Sequence, residues 1–438
     1  MFEIKGKYTT AKVMADQLEE SCVAQITSFI NHPAFTNPVS IMPDAHTGKG
    51  SCIGFTMKMT DKVIPQIIGV DIGCSVMAIN IGNKLPLSEE LIDHKIRQRV
   101  PMGINVHDRG VIHMKNNFPW KDVQTLAHKF TLAYSEKFNK VINPPIYNMD
   151  WFEKKCKSIG ADLGRMINSI GTLGGGNHFI EIGKDLNDDY WITIHTGSRN
   201  FGKRICEYWQ SKAEKRIKKD FQEQKQKEID RAKQTYSDKE LFNKIKEIKS
   251  KYNFTIDING LEFLEDEDAS GYLFDMIFTQ IYAEVNRKYI AESIIDILGV
   301  PAIDKIETVH NFIDFRDFII RKGAIRSYIG ERMIIPFNMR DGLLICEGRS
   351  NSEWNYSAPH GAGRVLSRSQ AKKQIDLVEF KNQMQGIYST SVGLGTLDES
   401  PNAYKDSKII EEAVEPTAVI LNRVIPVINI KAIETVED

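Results

Sequence analysis

The sequence predicts an α+β protein folded as one domain over 1–438. Three observations lead there. Short apolar runs rich in β-branched residues, cut by Gly and Pro, recur around 39–80, 179–195 and 300–438. Long stretches of helical period lie between them, over 87–170 and 268–298. No internal repeat or low-complexity linker divides the chain. Such segregated runs of strands and helices favour mixed sheets with helices packed on them.

The elements follow in order. Residues 1–35 read as a short strand and then an amphipathic helix around 11–30, with Thr9 or Thr10 as its cap. The apolar runs 63–70 and 75–81 flank Asp-Ile-Gly-Cys and read as two buried strands meeting at a polar junction. After the helical tract comes a dense glycine loop, 171–176, and then two strands, 179–182 and 191–195. Residues 207–252 differ from the rest. Lys, Glu, Gln and Arg dominate there, and sparse apolar residues keep helical spacing. This predicts a long, charged helical hairpin inserted in the fold, read first as a solvated excursion.

The bulk numbers narrow the function classes. The chain is 42% hydrophobic and 26% charged, with a net charge of −1. There is no overall basic field, so nucleic-acid affinity must come from local patches. Six cysteines are scattered without a CxxC pair, which suits a reducing cytoplasm better than a disulfide framework. The N-terminus lacks the apolar core of a signal peptide, and no apolar stretch is long enough to span a bilayer.

The chemistry gathers on a few residues. His360 lies in Ser-Ala-Pro-His-Gly-Ala-Gly-Arg, 357–364, followed by Ser367 and Arg368. Gly361 and Gly363 let backbone approach a ligand, and Arg364 and Arg368, four apart, share a face if the segment is helical. A histidine beside such a phosphate cradle suits a nucleophile. Three more of the ten histidines, His178, His195 and His310, sit at strand ends or in polar loops, and Asp71 and Cys74 lie three apart. A carboxylate, a thiolate and several imidazoles make a set for a borderline ion such as Mn²⁺, Zn²⁺ or Co²⁺, and a thiolate can bridge two ions. The ligands are spread over some two hundred residues, so the fold, and not a local clip, must assemble them. The segment 42–50 adds Asp44, His46 and Lys49 but lacks the P-loop spacing. Thr196-Gly-Ser-Arg199 and Arg321-Lys322-Gly-Ala-Ile-Arg326 supply further cations for a phosphate-binding lining.

Asp71-Ile-Gly-Cys74, Gly-Gly-Asn177-His178-Phe-Ile-Glu181, His195-Thr-Gly-Ser-Arg199, His310-Asn311, Arg321-Lys322-Gly-Ala and His360-Gly-Ala-Gly-Arg364 occur in that order. Glu399-Ser-Pro-Asn-Ala-Tyr404-Lys405-Asp and Lys431 close the series. Together, from about residue 40 to 431, they resemble the RtcB family of GTP-dependent RNA ligases. The chain departs from that pattern at Gly73, where many relatives carry Asn, and in its long charged hairpin.

The resemblance implies sheets built around two Mn²⁺ ions, held by Asp71, Cys74, His178, His195 and His310, with the cysteine bridging. It makes His360 the nucleophile that takes GMP from GTP. It assigns the nucleotide to Asn177, Glu181, Gly361, Gly363, Glu399, Tyr404 and Lys431 beside His360, and RNA phosphates to Arg199, Lys322, Arg364 and Arg368. The implied reaction joins RNA 3′-phosphate or 2′,3′-cyclic phosphate ends to 5′-hydroxyl ends, in RNA repair or tRNA splicing. The expected partners are such RNA and GTP, with room for a protein activator and none for a membrane. Two other classes compete: a metal-dependent hydrolase that only opens cyclic phosphates, and an RNA-end-binding protein without ligation. A covalent guanylate on His360 separates the ligase from both.

Overall fold

A computed structural model describes residues 1–48, 50–252 and 260–433. Its central feature is a seven-stranded sheet. In spatial order the strands are Arg332–Pro336, Leu343–Gly348, Ala418–Ile430, Phe179–Asp185, Tyr190–Thr196, Ser75–Gly82 and Asp304–Val309, each antiparallel to its neighbour. Side chains alternate across a strand, so a strand covered on both faces reads as one apolar run. Ser75–Gly82 is such a strand. Met77, Ile79 and Ile81 pack with Ile180, Ile192 and Ile194 under helical Ile290 and Ile294. Val76 and Ala78 pack on the other face with Trp191, Ile306, Ile334 and Ile345.

A second, six-stranded sheet holds Phe2–Lys5, Thr10–Val13, Val39–His46, Ile53–Lys58, Ile319–Lys322 and Asn311–Asp314, in that order. A short ribbon pairs Ala324–Arg326 with Ser357–Pro359. The helix Asp266–Leu298 is buried nearly all round over 269–279, where its residues are mostly apolar, while Glu284, Lys288, Glu292 and Asp296 keep one charged stripe of its second half exposed. The fold is therefore α+β; the central sheet is antiparallel throughout, and the expected mixing of directions is confined to the second sheet, where Thr10–Val13 pairs in parallel with Val39–His46.

Three local expectations are corrected. Residues 10–13 form a strand, and the helix begins only at Glu20. Thr10–Val13 alternates half-buried and buried residues, a period-2 pattern that the helical reading passed over. The 63–70 run is not a strand. Pro65 starts a short helix, Pro65–Ile68, where its fixed φ suits the first turn. Arg364 and Arg368 do not share a helical face, because the helix begins at Arg368 behind a capping box on Ser367 and Gln370. The charged segment forms two helices, Arg199–Thr235 and Asp238–Lys251. The first starts eight residues earlier than the spacing suggested.

No helix among the described residues is long and apolar enough to cross a membrane. No disulfide joins the described residues, and all six cysteines are buried.

Candidate active site

Strand direction places the site. Five neighbouring strands of the central sheet run alternately up and down, so one edge of the sheet collects alternate ends and starts. Ala418–Ile430 ends there before Lys431, and Phe179–Asp185 starts there after His178. Tyr190–Thr196 ends with His195 in its last turn of pleat, Ser75–Gly82 starts after Cys74, and Asp304–Val309 ends before His310. Residues separated by hundreds of positions thus stand in one row.

The donor atoms form two triads that share one sulfur. Cys74, His195 and His310 make one group and Asp71, Cys74 and His178 the other, with the atoms of each group within 4.8 Å of one another. Cys74 Sγ lies 3.2 Å from His195 Nε2 and 3.7 Å from His178 Nε2. His178 Nε2 is 2.9 Å from Asp71 Oδ2, and His195 Nε2 is 3.3 Å from His310 Nε2. The other ring nitrogens are occupied: His178 Nδ1 faces the Leu173 carbonyl at 2.9 Å and His195 Nδ1 the Asn177 carbonyl at 3.2 Å. Donation to these carbonyls leaves the Nε2 lone pairs aimed at the shared thiol, the arrangement typical of metal-bound histidines.

The electrostatics agree with a metal site. Burial, then the neighbouring His178, holds His195 well below the usual histidine range. Burial, then His360, does the same for His310. Both rings stay neutral and keep their lone pairs. Burial, the largest single influence, would raise the Asp71 carboxyl, but the bond and charge of His178, the bond from Cys74 and the Arg199 charge together outweigh it and lower the group. Burial and the Asp71 charge push the Cys74 thiol well up, so a divalent cation is what would make it a thiolate. One carboxylate, one sulfur and three imidazoles fit two borderline cations that share the sulfur.

The helix Asp266–Leu298 clamps these loops. Arg287, 1% exposed, donates to the carbonyls of Gly73 and Thr196 at 2.9 and 3.0 Å and pairs with Glu307 at 2.6 Å. Asn286 donates to the Gly197 carbonyl and accepts from the amides of Gly171 and Thr172. Gly73 adopts φ +72°, and a Cβ there would lie 3.1 Å from Gln280 Cα of that helix. Glycine meets both demands.

His360 leaves the ribbon strand Ser357–Pro359 and lies beside His310, with ring centroids 5.0 Å apart. Asp44, fully buried, holds it. One oxygen, Oδ2, accepts from His360 Nδ1 at 2.6 Å, from the His360 amide at 3.1 Å and from the Gly361 amide at 3.2 Å. Gly363 has φ +73°, and a Cβ there would lie 2.2 Å from the Asp44 carbonyl oxygen. The loop therefore rests directly on the Asp44 strand, and its second glycine is obligatory. Sequence reading singled out Asp44 but missed this role. The signal was an acid followed by glycines, 316 residues away from its histidine.

A cavity of about 1040 Å³ opens over this row. Asp71, Cys74, Asn177, Glu181, His195, His310, His360, Gly361, Gly363, Glu399, Tyr404 and Lys431 are among its walls, so most of the expected residues meet in one space. At one end Lys431 Nζ lies 2.9 Å from Glu399 Oε2, which also accepts from the Tyr404 hydroxyl at 2.8 Å. Burial raises the Glu399 carboxyl, but Lys431, Arg368 and Arg364 outweigh it and hold the group charged. Glu181 behaves oppositely. Burial lifts it to about 8 against the Asn429 bond, so this carboxyl is neutral near pH 7.

The expected phosphate-binding cations divide. Arg364 and Arg368 line the cavity, where they pair with Glu399 and Asp398. Arg199 and Lys322 lie outside that lining. The Arg199 guanidinium donates to Thr172 Oγ1 and the Gly103 carbonyl, and burial lowers Lys322. Arg321 and Arg326 join an ion cluster with Asp314, Asp317 and Glu331, so they are structural. His46 bonds back to the Asp44 carbonyl, and Lys49 lies outside the described residues.

Known proteins resemble this chain over nearly all its length. A family model described as tRNA-splicing ligase RtcB matches residues 25–432. The RNA-splicing ligase RtcB of Escherichia coli K12 is 28% identical over 89% of this chain and 88% of its own. The tRNA-splicing ligase RtcB of Nanoarchaeum equitans is 26% identical over 94% and 90%. That of Archaeoglobus fulgidus is 26% identical over 93% and 89%.

Proposed function

The chain belongs to the RtcB family, and from that premise we propose that it is a GTP-dependent RNA ligase. It joins RNA 3′-phosphate or 2′,3′-cyclic phosphate ends to 5′-hydroxyl ends through a histidine–GMP intermediate. The observation that carries this reading is the pairing of an oriented histidine with a two-triad donor set in one cavity. A cyclic-phosphate hydrolase has no use for the first.

His360 is the nucleophile. Asp44 takes its Nδ1 proton as a hydrogen bond, which leaves Nε2 to attack. An Nε2–phosphorus bond forms at the α-phosphate of GTP, the α–β P–O bond breaks, and pyrophosphate leaves. An oxygen of the RNA 3′-phosphate then attacks the same phosphorus, and the P–N bond breaks. The product is RNA(3′)pp(5′)G. Finally the 5′-hydroxyl of the second fragment attacks the RNA phosphorus and expels GMP. A cyclic end must first be opened to the 3′-phosphate by water.

Asp71, Cys74, His178, His195 and His310 would hold two Mn²⁺ ions, which supply Lewis-acid stabilisation of phosphoryl charge when bound. Glu399, Tyr404 and Lys431, with Asn177 and Glu181, bind the nucleotide base and sugar. The backbone at Gly361 and Gly363 admits its phosphates closely. Arg364 and Arg368 exchange their carboxylate partners for RNA phosphate, and Arg199 and Lys322 add positive potential from outside the cavity lining. Phosphoryl transfer of this kind needs position and charge more than acid–base power.

The test is a pair of labelled RNA fragments with GTP and Mn²⁺, resolved on a denaturing gel. A 3′-phosphate fragment and a 5′-hydroxyl fragment should join, and a 3′-hydroxyl with a 5′-phosphate should not. Ring opening of a cyclic end without joining, in the presence of GTP, would leave only the hydrolase.

A further inference from the structure

Beyond Arg199, the charged helical pair takes no part in the active site. Its root is fixed. Trp209 Nε1 donates to Asp275 at 2.7 Å, Gln210 to Glu262 at 2.9 Å, and Arg216 pairs with Glu265 at 2.7 Å. Beyond Ile217 the only buried residue of the first helix is Ala232. The outer halves pack on each other, with Lys251 and Tyr252 both bonded to Glu228. The pair is an arm anchored to the body at one end.

Its charge is one-sided. Residues 207–252 carry 14 Lys and Arg against 9 Asp and Glu, in a chain whose net charge is −1. On the first helix, Arg204, Lys215, Lys218, Lys219 and Lys233 are all exposed and fall within a sector of about 100°. That sector lies opposite the buried Cys206, Trp209, Ala213 and Ile217. No Asp or Glu of the helix falls inside it. The stripe runs about 44 Å at the rise of an α-helix. On the second helix Phe242 is 69% exposed, and Lys239, Lys246 and Lys249 lie on the same face at i−3, i+4 and i+7. None of these three lysines makes an ion pair among the described residues.

A solvated helix of ordinary design mixes its charges around the exposed face, so that i,i+4 pairs form. Here the charged residues of one sector are all cations, with only uncharged residues between them; Lys219 and Lys233 reach Glu223 and Asp230 at its margins, at 3.8 and 3.3 Å, and an exposed aromatic stands among lysines on the second helix. The helix also begins at Arg199, three residues beyond the end of the strand that carries His195. The helix therefore starts near the row of donor residues, and its stripe, from Arg204 onward, leads away from it.

We propose that this arm binds the sugar–phosphate backbone of the RNA substrate well away from the ends being joined. The lysine stripe meets the phosphates, and Phe242 offers a face on which an unpaired base stacks. The proposal rests on the ligase reading only in naming the bound RNA as substrate. The arm's affinity for RNA does not depend on the chemistry at His360.

The experiment uses the full chain and a fluorescent RNA stem-loop with a 5′-phosphate and a 3′-hydroxyl, ends that the proposed reaction does not join. Anisotropy is measured from low to moderate KCl for the protein and for a variant with Lys215→Glu, Lys218→Glu, Lys219→Glu and Lys233→Glu. The substitutions are on the surface, and circular dichroism confirms that the variant folds. The variant should bind at least about tenfold more weakly, with a shallower salt dependence by about 3 in the log–log slope. GMP labelling of His360 should be unchanged. Phe242→Ala should weaken binding of single-stranded RNA and spare a duplex. Equal affinity and equal slope would overturn the proposal. So would a variant that keeps its RNA affinity but changes oligomeric mass in light scattering, because the stripe would then be a contact between protein chains. If the protein binds the RNA through the stripe yet never labels His360, the arm stands and the ligase reading falls.

Discussion

Asp44 and His360 are joined through a single oxygen. Oδ2 of Asp44 accepts the ring Nδ1–H and the backbone N–H of His360 and also the N–H of Gly361. One carboxylate thus sets the tautomer, the ring direction and the path of the glycine loop together. Asp44→Ala should lower formation of the histidine–GMP adduct by about 100-fold, the scale of a lost near-attack alignment. Metal content should stay unchanged. Adduct formation at the normal rate would show that the ring is oriented by something else.

Sharing of the Cys74 sulfur between the two triads makes a distinct prediction for metal content. Cys74→Ala should lose both equivalents of Mn²⁺ in elemental analysis, and His310→Ala should lose mainly one. Near-normal Mn²⁺ in Cys74→Ala would contradict the bridging role.

Glu181 gives the folded protein a pH dependence. Its folded value of about 8 lies above the usual 4.5, so the folded chain keeps a proton that the unfolded chain has released. The contribution is full below pH 4.5 and is lost as pH rises to about 8. Melting temperature should therefore show a downward component across that window, and Glu181→Gln should remove it. An unchanged slope in the variant would place the titration elsewhere.

Arg287 is buried, pairs with Glu307 and ties together the loops of Cys74 and His195. Arg287→Met leaves that carboxylate with only the half-exposed Lys305, 3.5 Å away, and should cost about 3 kcal/mol in urea unfolding, the low end for a broken buried pair. Adding Glu307→Gln should restore part of the loss. A single variant as stable as the parent would mean that the clamp contributes little.

The sequence disclosed chemistry better than geometry. Strand ends and glycine loops carry recognisable residue types, so Cys74, His178, His195 and His310 could be read one by one. The reason they meet could not. It lies in five adjacent strands alternating direction, three of whose four pairings join residues more than a hundred positions apart. Asp44 illustrates the same limit, because nothing local links it to His360. Arg321 and Arg364 look alike in sequence. Only the tertiary neighbours show one locked in an ion cluster with Asp314 and Asp317 and the other facing the cavity. The strand at Thr10–Val13 was hidden because four residues give too short a period to outweigh the helical pattern that follows.

The central claim is a covalent guanylate on His360, and the direct measurement is incubation with α-labelled GTP and Mn²⁺. The protein is then run on a denaturing gel after acid or alkali treatment. The account predicts a labelled protein band that acid removes and alkali spares, absent in His360→Ala. No label, with metal bound and GTP intact, would contradict it.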